Sequence, residues 1–428
     1  TDSVIALRVN VTSIGLCVYC MTNTLFFLSL APIPAYRYYQ LIVSTVGNRR
    51  RLLLDEPAAQ LQQTVLYELH QSLGARIVPF AGYQMPLNYS PGIIKEHLHT
   101  RTSASLFDVS HMGQIRIYGT GAIETLESLM PIDLSTLKPG QQRYNFLTNN
   151  NGGIVDDLMI SRLADHWQLI VNAANKMKDL ELITTACGSQ TTVDYQHDAA
   201  LIALQGPAAS TILSRHSTET ASLPFMHQGQ FEIGGIPCLI SRSGYTGEDG
   251  FEISVSNSHA MTLAESLLAH PEVEAAGLGC RDSLRLEAGL CLHGNDINEQ
   301  TTPLEANLLW AISPDRRADG KRAGNFPGDA RILEEMRSPP AQCRVGLRPD
   351  GKIPVRPPAA LFTETGVESG LVTSGSFGPS VGGPIAMGYV NRAFSALGAR
   401  HHTKVRGKPI TLTVVELPFV AHNYHRRR

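Results

Sequence analysis

The stretch Asn150-Asn-Gly-Gly-Ile-Val-Asp-Asp-Leu-Met-Ile160 decides how the chain folds around it. Its Asn-Gly pair supplies residues that tolerate positive φ, which a tight hairpin turn requires. Apolar residues on both sides of the turn predict one strand from Arg143 to Thr148 and a second from Ile154 to Ser161. The sequence therefore predicts an antiparallel hairpin with two adjacent aspartates just past its turn.

These two aspartates, Asp156 and Asp157, are the first candidates for chemistry. Successive strand residues point to opposite faces, so only one of the two can face a given pocket. A carboxylate flanked by apolar residues costs free energy unless it is paired. Without a partner its pKa rises toward the range that suits proton transfer near neutrality. An aspartate that only caps the turn is the alternative, and both interpretations stay open.

A second hairpin is predicted from Pro237 to Val255, with its turn in Gly244-Tyr-Thr-Gly-Glu-Asp-Gly250. These glycines do not form a phosphate loop, because the Gly-Lys-Ser/Thr ending and a following helix are missing. Glu252 falls on the exit strand, where a carboxylate can accept two parallel hydrogen bonds from the N–H edge of a pterin or a guanine. A solvated edge-strand glutamate is the alternative.

The segment Arg281-Asp-Ser-Leu-Arg-Leu-Glu287 opens a predicted helix that runs from Arg281 to Ala288. Arg281 and Arg285 are four residues apart and therefore share one helix face. Two guanidinium groups on one face can hold a carboxylate tail. The alternative is an exposed ladder with Glu287, and such ladders contribute only about 0.3–0.5 kcal/mol per pair.

Apolar spacing and turn signals define the remaining elements. Further helices are predicted at residues 64–73, 92–100, 122–130, 175–187 and 208–215. After Pro339 and Pro340, glycines and short apolar runs continue to the C-terminus with little helix signal. These runs predict a small, barrel-like β domain at residues 341–425.

The composition indicates a folded protein of two or three domains, since the chain has 428 residues, of which 43% are hydrophobic and 17% charged. The formal net charge of −2 lacks the basic excess of a nucleic-acid-binding protein. Seven cysteines at irregular spacing are not a disulfide framework and favour a reducing compartment. The histidines lack further partners at metal-ligand spacing, so no metal site is predicted.

Residues 1–60 differ from the rest of the chain. No charged residue occurs from Val9 to Tyr36, and no acidic residue occurs between Asp2 and Asp55. A membrane span needs about 20 mostly apolar residues, and here polar residues dilute the run. Arginine content without acids is typical of targeting segments. We expect a targeting segment, or alternatively a membrane-associated one, and a membrane partner for the folded region is not expected.

A series of motifs occurs in one order along the chain. They are Phe80-Ala-Gly82, Ser105-Leu-Phe-Asp-Val-Ser-His-Met112, Gly152-Gly-Ile-Val-Asp-Asp-Leu158, Leu204-Gln-Gly-Pro207, Gly244-Tyr-Thr-Gly-Glu-Asp-Gly-Phe-Glu-Ile-Ser254, Arg281-Asp-Ser-Leu-Arg-Leu-Glu-Ala-Gly-Leu290, Gly294-Asn-Asp-Ile297, Thr302-Pro-Leu-Glu305, Val372-Thr-Ser-Gly375, Ala386-Met-Gly-Tyr-Val390 and Leu417-Pro-Phe-Val420. This set resembles the T-protein, or aminomethyltransferase, family of the glycine cleavage system, from about Leu66 to Tyr424. The long Gly-Tyr-Thr and Arg-Asp-Ser segments make the resemblance specific.

The resemblance implies an α+β, three-domain folate-binding aminomethyltransferase fold, with two interleaved subdomains at residues 61–335 before the C-terminal β-barrel domain. It implies an enzyme of the mitochondrial matrix. This enzyme moves a methylene group from an aminomethyl group on the lipoyl arm of the carrier H-protein to tetrahydrofolate, and ammonia is released. Tetrahydrofolate would be a co-substrate, and neither a metal nor a nucleic acid would take part.

The resemblance also implies roles for individual residues. Asp157 matches the essential aspartate of the family. The positions that match folate-contacting or folate-lining residues are Met112, Tyr144, Ile170, Asn172, Tyr245, Glu252, Arg281 and Tyr424. On physical grounds Glu252 would accept hydrogen bonds from the pterin edge, while the polarizable sulfur of Met112 would pack on the ring. Whether Asp157 is a general acid–base group or an electrostatic stabiliser is left open.

Three other functions compete with this one. Sarcosine and dimethylglycine dehydrogenases carry a similar folate module, but they need a flavin domain with Gly-x-Gly-x-x-Gly, and no such motif precedes Leu66. A non-catalytic folate-binding homologue in iron–sulfur assembly would carry a distinctive cysteine motif, which is missing here. A structural subunit of a mitochondrial assembly would tolerate a degenerate pocket, and the acidic and basic candidates argue against degeneracy.

Overall fold

The computed structural model describes residues 5–12, 15–18, 40–46, 49–55 and 61–426. The chain divides into two compact units, Thr1–Gln62 and Gln63–Arg428. The first unit contains the strands β1 (Ile5–Thr12), β2 (Gly15–Val18), β3 (Gln40–Val46) and β4 (Arg49–Asp55). They pair in the antiparallel order β2-β1-β3-β4.

The targeting or membrane-associated prediction rests on the apolar run of residues 9–36. Most of that run lies outside the described residues. Among the residues that the structure does describe, no helix is long and apolar enough to cross a bilayer.

The helices of the second unit are α1 (Tyr67–Ser72), α2 (Ile93–Thr102), α3 (Ala122–Glu127), α4 (Lys176–Ala186), α5 (Ala209–His216), α6 (Asn257–Leu268), α7 (Leu278–Glu287) and α8 (Asp329–Arg337). Its strands are β5 (Gln62–Gln63), β6 (Arg76–Phe80), β7 (Tyr83–Asn88), β8 (Ala104–Asp108), β9 (Gly113–Tyr118), β10 (Gln142–Thr148), β11 (Ile154–Arg162), β12 (Trp167–Val171), β13 (Thr192–Tyr195), β14 (Ala199–Gln205), β15 (Gln228–Ile233), β16 (Ile236–Ser241), β17 (Gly250–Ser256), β18 (Val273–Ala275), β19 (Gln342–Pro349), β20 (Ala359–Phe362), β21 (Glu368–Gly378), β22 (Gly383–Asn391), β23 (Arg400–Val405) and β24 (Lys408–Val415).

One sheet has five antiparallel strands in the order β10-β11-β12-β9-β13. The predicted hairpin is confirmed as β10 and β11, with Phe146 opposite Asp157. Gly152 has a φ of 77°, which lets the chain reverse. Gly153 lies so close to the backbone of Glu299 that a Cβ there would sit 1.8 Å from its carbonyl oxygen. The two glycines therefore serve different needs, a turn and a close approach.

A second sheet has six strands in the order β15-β16-β17-β14-β8-β18, and the pair β8–β18 is parallel. The second predicted hairpin is confirmed as β16 and β17. Its long turn wraps around the buried amide of Gln205, which donates to the Ser243 carbonyl at 3.0 Å and accepts from Thr246 Oγ1 at 2.9 Å. A Cβ at Gly244 would lie 1.9 Å from Gln205 Oε1, so only glycine fits there.

A short three-stranded sheet in the order β5-β7-β6 lies at the start of this unit, and the C-terminal strands close a barrel in the order β19-β22-β21-β20-β23-β24. The predicted α+β class and C-terminal barrel are therefore confirmed. Helix α7 contacts α2, β7, β21 and β22, so it links the barrel to the remaining sheets. The predicted exposed ladder at Glu287 is wrong, because this buried carboxylate contacts His97 at 3.0 Å, Arg101 at 3.0 Å and the Ser380 N–H at 2.7 Å.

Each predicted helix is present, although α1 and α3 are shorter than expected. Helix α1 begins at Tyr67, and the Thr64 hydroxyl before it donates to Asp108 at 2.6 Å. Helix α6 was not predicted, yet its buried residues Ala260, Leu263, Ala264 and Leu267 have helical spacing.

We predict that Gly153→Ala destabilises the protein by about 1–3 kcal/mol, because the new methyl group must displace the Glu299 backbone or the turn. Gly188→Ala is the matched control, since a Cβ there meets no atom within 4 Å. The measurement is the free energy of unfolding from urea titration of both variants. Equal stability of the two variants would contradict the close approach at Gly153.

Candidate active site

Several segments meet where the β10–β11 hairpin joins the link from β12 into α4. His293, which follows α7, contacts the Ile154 carbonyl through Nε2 at 3.3 Å and the Asn175 carboxamide through Nδ1 at 3.0 Å. The loop between β16 and β17 joins this group because the Tyr245 hydroxyl donates to the Cys291 carbonyl. Residues far apart in the chain are thereby brought together.

Asp157 is half-buried on β11, and two side chains hold its carboxyl group. Asn172 Nδ2 lies 2.8 Å from Oδ1, and the nearby Tyr144 hydroxyl interacts with the same carboxyl group and lowers its pKa. Burial, and then the negative charge of Asp156, raise the pKa of Asp157 to about 6, although His293 and both hydrogen bonds act in the opposite direction. Asp157 therefore changes protonation near neutrality, as a general acid–base group must.

Asp156 has different surroundings, as expected for successive strand residues. It is fully buried and accepts hydrogen bonds from the Asn172 backbone N–H at 3.0 Å, from Asn172 Nδ2 at 2.9 Å and from Asn175 Nδ2 at 2.7 Å. Neither aspartate caps the turn, because Asn149 Oδ1 accepts from the N–H groups of Asn151 and Gly153 at 2.9 and 3.1 Å. The turn-capping alternative is therefore wrong.

An aromatic pair connects Asp157 with the surface. Tyr144 stacks on Trp310 with ring centroids 5.3 Å apart and an interplanar angle of 26°. Trp310 is 63% exposed, an unusual position for a large aromatic side chain. Burial raises the pKa of Tyr144 well above its usual value, so its hydroxyl stays protonated and can donate to Asp157. Sequence reasoning singled out Tyr144 but missed Trp310.

Glu252, Arg281 and Tyr245 form the second part of the site. The Arg281 guanidinium lies 4.9 Å from the centre of the Tyr245 ring. Burial lowers the pKa of Arg281, and the charge of Glu252 opposes this shift. Ser243 Oγ donates to Glu252 Oε2 at 3.1 Å. Arg281 Nη1 is buried, and within the described residues it has no hydrogen-bond partner. A buried donor without a partner indicates a ligand at this position.

Met112 and Ile170 supply an apolar surface beside these polar groups. Ile170 is 7% exposed and belongs to a buried cluster with Cys280 and Leu284 of α7. Met112 packs partly exposed against the same cluster. A flat, weakly polar ring can be covered by such a surface.

Tyr424 has a looser connection to the other predicted residues. Its ring stacks on Phe225 with centroids 4.4 Å apart and an interplanar angle of 13°. The preceding Asn423 donates its backbone N–H to the Gly247 carbonyl at 2.8 Å and its Nδ2 to Glu248 at 3.0 Å. The C-terminal segment is thus attached to the loop that carries Tyr245.

Arg285 corrects one expectation. Its side chain is buried, pairs with Asp282 at 2.8 Å and Asp296 at 2.7 Å, and donates to Ser374 Oγ at 2.9 Å. Every face of its guanidinium is engaged by the protein, so the idea that Arg281 and Arg285 together hold a carboxylate tail is wrong. Arg281 alone is available.

Sequence reasoning also missed Asn175, Asp179 and His293. Asn175 and Asp179 are four residues apart at the start of α4, a spacing that places both on one helix face. Nothing in the sequence around His293 signals its contact with Ile154. Within the described residues, no group of three or more His, Cys, Asp or Glu side chains could hold a metal ion.

The arrangement combines three capabilities. Glu252 and Arg281 present an acceptor and a free donor, which can orient a heterocycle with complementary N–H and acceptor groups. Met112 and Ile170 can cover its rings. Asp157 can take up or hold a proton near neutral pH.

Comparison with known proteins adds to this geometry. Residues 66–316 match the family model of the GCVT N-terminal domain, and residues 343–421 match that of the glycine cleavage T-protein C-terminal barrel domain. The mitochondrial aminomethyltransferase of Dictyostelium discoideum is 42% identical over 384 residues, which cover 86% of this chain and 94% of that protein. The mitochondrial aminomethyltransferase of Gallus gallus is 44% identical over 385 residues, 88% of this chain and 96% of that protein.

A solved structure is also similar. The glycine cleavage system aminomethyltransferase T from Bartonella henselae superposes with a TM-score of 0.81 and 46% sequence identity, over 86% of this chain and 100% of that chain. The similarity therefore extends over both the site-bearing sheets and the C-terminal barrel.

We predict that Asp157→Asn increases thermal stability more at neutral pH than at acid pH. The raised pKa means that the folded protein binds the Asp157 proton more tightly than the unfolded chain. The resulting stabilisation is present below the ordinary pKa of 3.8 and is lost as the pH rises through about 6. The test is the melting temperature of variant and wild type between about pH 4 and 8. A difference that does not change with pH would contradict this environment for Asp157.

Proposed function

This chain belongs to the glycine cleavage T-protein family and is an aminomethyltransferase of the glycine cleavage system, and we propose that the site around Asp157 carries its reaction. In this proposal a methylene group moves from the aminomethyl group on the lipoyl arm of the carrier H-protein to tetrahydrofolate, and ammonia leaves. The protein is mitochondrial, as its curated relatives are named. The observations that carry the proposal are the raised pKa of the Asp157 carboxyl group and the buried Arg281 Nη1, which has no partner among the described residues.

Tetrahydrofolate fits the residues present. Glu252 would accept from the 2-amino and N3 groups of the pterin, and Ser243 holds Glu252 in place from one side. Arg281 Nη1, which lacks a protein partner among the described residues, would gain an acceptor from the ligand. Met112 and Ile170 would cover the ring, because both belong to one apolar surface and Met112 is partly exposed on it.

Three tyrosines would complete the site, together with Asn172, which donates to Asp157 at 2.8 Å. Tyr245 is held by the Cys291 carbonyl and by Arg281, so its ring is preorganised before any ligand binds. Tyr144, stacked on Trp310, lies between Asp157 and the surface and would line the approach of the longer folate tail. Tyr424 would contribute from the C-terminal segment, beside the loop that bears Tyr245.

The hydrogen balance of the reaction defines the task of Asp157. Formation of methylenetetrahydrofolate removes one hydrogen from N5 and one from N10. One proton goes to the departing amino group and the other to the lipoyl sulfur. A carboxylate with a pKa of about 6 can hold one of these protons transiently and return it, which a carboxylate of ordinary pKa does less well.

The competing functions lack support from a specific observation. The curated relatives are named aminomethyltransferases over almost their whole length, which argues against a purely structural subunit or an iron–sulfur assembly factor. The similarity to the Bartonella henselae enzyme covers that chain completely, so the match requires no additional flavin domain.

We predict that Asp157→Asn folds and binds tetrahydrofolate but loses transfer activity by at least about 100-fold, the usual contribution of a general acid–base group. The assay is formation of methylenetetrahydrofolate from the aminomethylated carrier protein. Asp165→Asn is the control, because this exposed aspartate lies beyond the strand that carries Asp157. Turnover of Asp157→Asn close to that of the wild type would discard the proposed role.

We predict that Glu252→Ala weakens tetrahydrofolate binding by about 1–3 kcal/mol, because a charged acceptor for the ligand is lost. Binding is measured by calorimetry, and independently by the rise in melting temperature that a ligand of the folded state must produce. Glu232→Ala is the matched control, since Glu232 is an exposed glutamate on β15 of the same sheet. Equal affinities of the two variants would remove Glu252 from the site.

A further inference from the structure

A pair of buried carboxyl groups lies directly behind Asp157. Asp156 on β11 and Asp179 on α4 are both completely buried. Helix α4 begins at Lys176, and Asn175 and Asp179 are one turn apart, so both side chains point at β11. Asn175 donates to Asp156 at 2.7 Å, and the Asp179 carboxyl, one turn later on the same helix face, is close enough to Asp156 for the two carboxyl groups to interact.

The hydrogen bonds around this pair are unequal. Asp156 accepts from three N–H groups, which belong to Asn172 and Asn175. Neither oxygen of Asp179 has a donor among the described residues. Two ionised carboxylates in contact within a dry interior would repel each other strongly, and one without a donor would also lose its hydration uncompensated. The two carboxyl groups must therefore hold one proton between them. The difference in their hydrogen-bond donors shows which carboxyl group binds it.

Asp156 is the ionised member, because three donors stabilise its charge. Asp179 is the protonated member, because only a neutral acid can donate to Asp156 and satisfy itself at the same time. Burial and the charge of Asp156 raise the pKa of Asp179 far above its usual range, which agrees with this assignment. The pair therefore carries a single negative charge at neutral pH.

We propose, on the basis of the function assigned above, that Asp179 is a positioning residue that stays protonated and donates a hydrogen bond to ionised Asp156, so that the pair fixes Asn172 against Asp157. The link is the Asn172 carboxamide. Its Nδ2 lies 2.9 Å from Asp156 Oδ1 and 2.8 Å from Asp157 Oδ1, so it cannot move away from one carboxyl without disturbing the other.

The charged and titratable groups around the pair leave this assignment intact. On α4 the neighbouring Lys178 points outward and binds Glu299 at 2.5 Å, so it does not donate to Asp179. On the segment after α7, His293 Nδ1 lies 3.8 Å from Asp156 and contacts Asn175. The remaining titratable groups near Asp157 are Tyr144, Tyr245 and Cys291, whose pKa values are all raised, so they stay neutral.

The first test reads the proton directly and does not depend on folate or on the carrier. Infrared spectra of the free enzyme at about pH 8 are compared between wild type and Asp179→Asn. We expect the wild type to show the C=O stretching band of a protonated carboxylic acid and the variant to lack it. Glu181→Gln, an exposed change on the same helix, is the control and should retain the band. A wild type without the band, or a variant that keeps it, would overturn the proposal.

The second test concerns positioning. Asp179→Ala removes the donor, and we expect kcat to fall on the order of tenfold while KM for tetrahydrofolate changes little, because Asp157 is misplaced and the pterin contacts remain. Asp179→Asn restores a neutral donor and should recover most of kcat. Failure of asparagine to recover activity would refute the donor role, even if Asp179→Ala itself did not fold. If the wild type shows the carboxylic acid band and Asp179→Asn lacks it, but the wild type has no transfer activity, the result contradicts the proposed function and leaves the protonated Asp179 in place.

Discussion

The carboxamide of Asn172 is the contact on which the geometry of the active site depends. It binds Asp156 and Asp157 at once and lies where β12 turns into α4. A single NH₂ group near two carboxyl groups on successive strand residues leaves little freedom for either. The orientation of Asp157 is therefore determined by the link between strand and helix, and not only by the hairpin on which it lies. Burial, and then the charge of Asp156, raise the pKa of Asp157 to about 6 in this fixed orientation.

A second network sets the relation between the barrel and the site. Glu287 contacts His97 and Arg101 of α2 and the backbone of Ser380 beside the barrel, while Arg101 also binds Glu248 at 2.8 Å. Glu248 in turn accepts from Asn423 of the C-terminal segment. Buried charges of this kind contribute little net stability, but breaking one partner is costly. The network therefore mainly fixes how α7, the loop between β16 and β17, and the C-terminal segment are arranged around the proposed ligand position.

Much of the fold could be predicted from the sequence, because the local residue patterns agree with the local structure. The Asn-Gly turn predicted the β10–β11 hairpin, and the glycines and short apolar runs after Pro340 predicted the barrel domain. Physical reasoning stopped where partners come from distant segments. Arg281 and Arg285 have the same residue type and share a helix face, yet Asp296 engages only Arg285. No local pattern distinguishes the two, and only the fold shows that Arg281 is the free one. Trp310 and His293 were missed for the same reason, since each gains its meaning from one contact across the chain.

The site needs a carboxyl group with both a raised pKa and a fixed orientation, and this explains why Asp156 and Asp179 lie behind Asp157. A lone half-buried carboxylate must be destabilised to titrate near neutrality, and burial alone would do so at the expense of a defined orientation. Placing the ionised Asp156 behind Asp157 raises the pKa by charge, while the Asn172 carboxamide keeps the orientation. This arrangement requires that the negative charge remain on Asp156. Three hydrogen-bond donors and the proposed neutral acid Asp179 hold the charge on Asp156, and this charge helps to raise the pKa of Asp157.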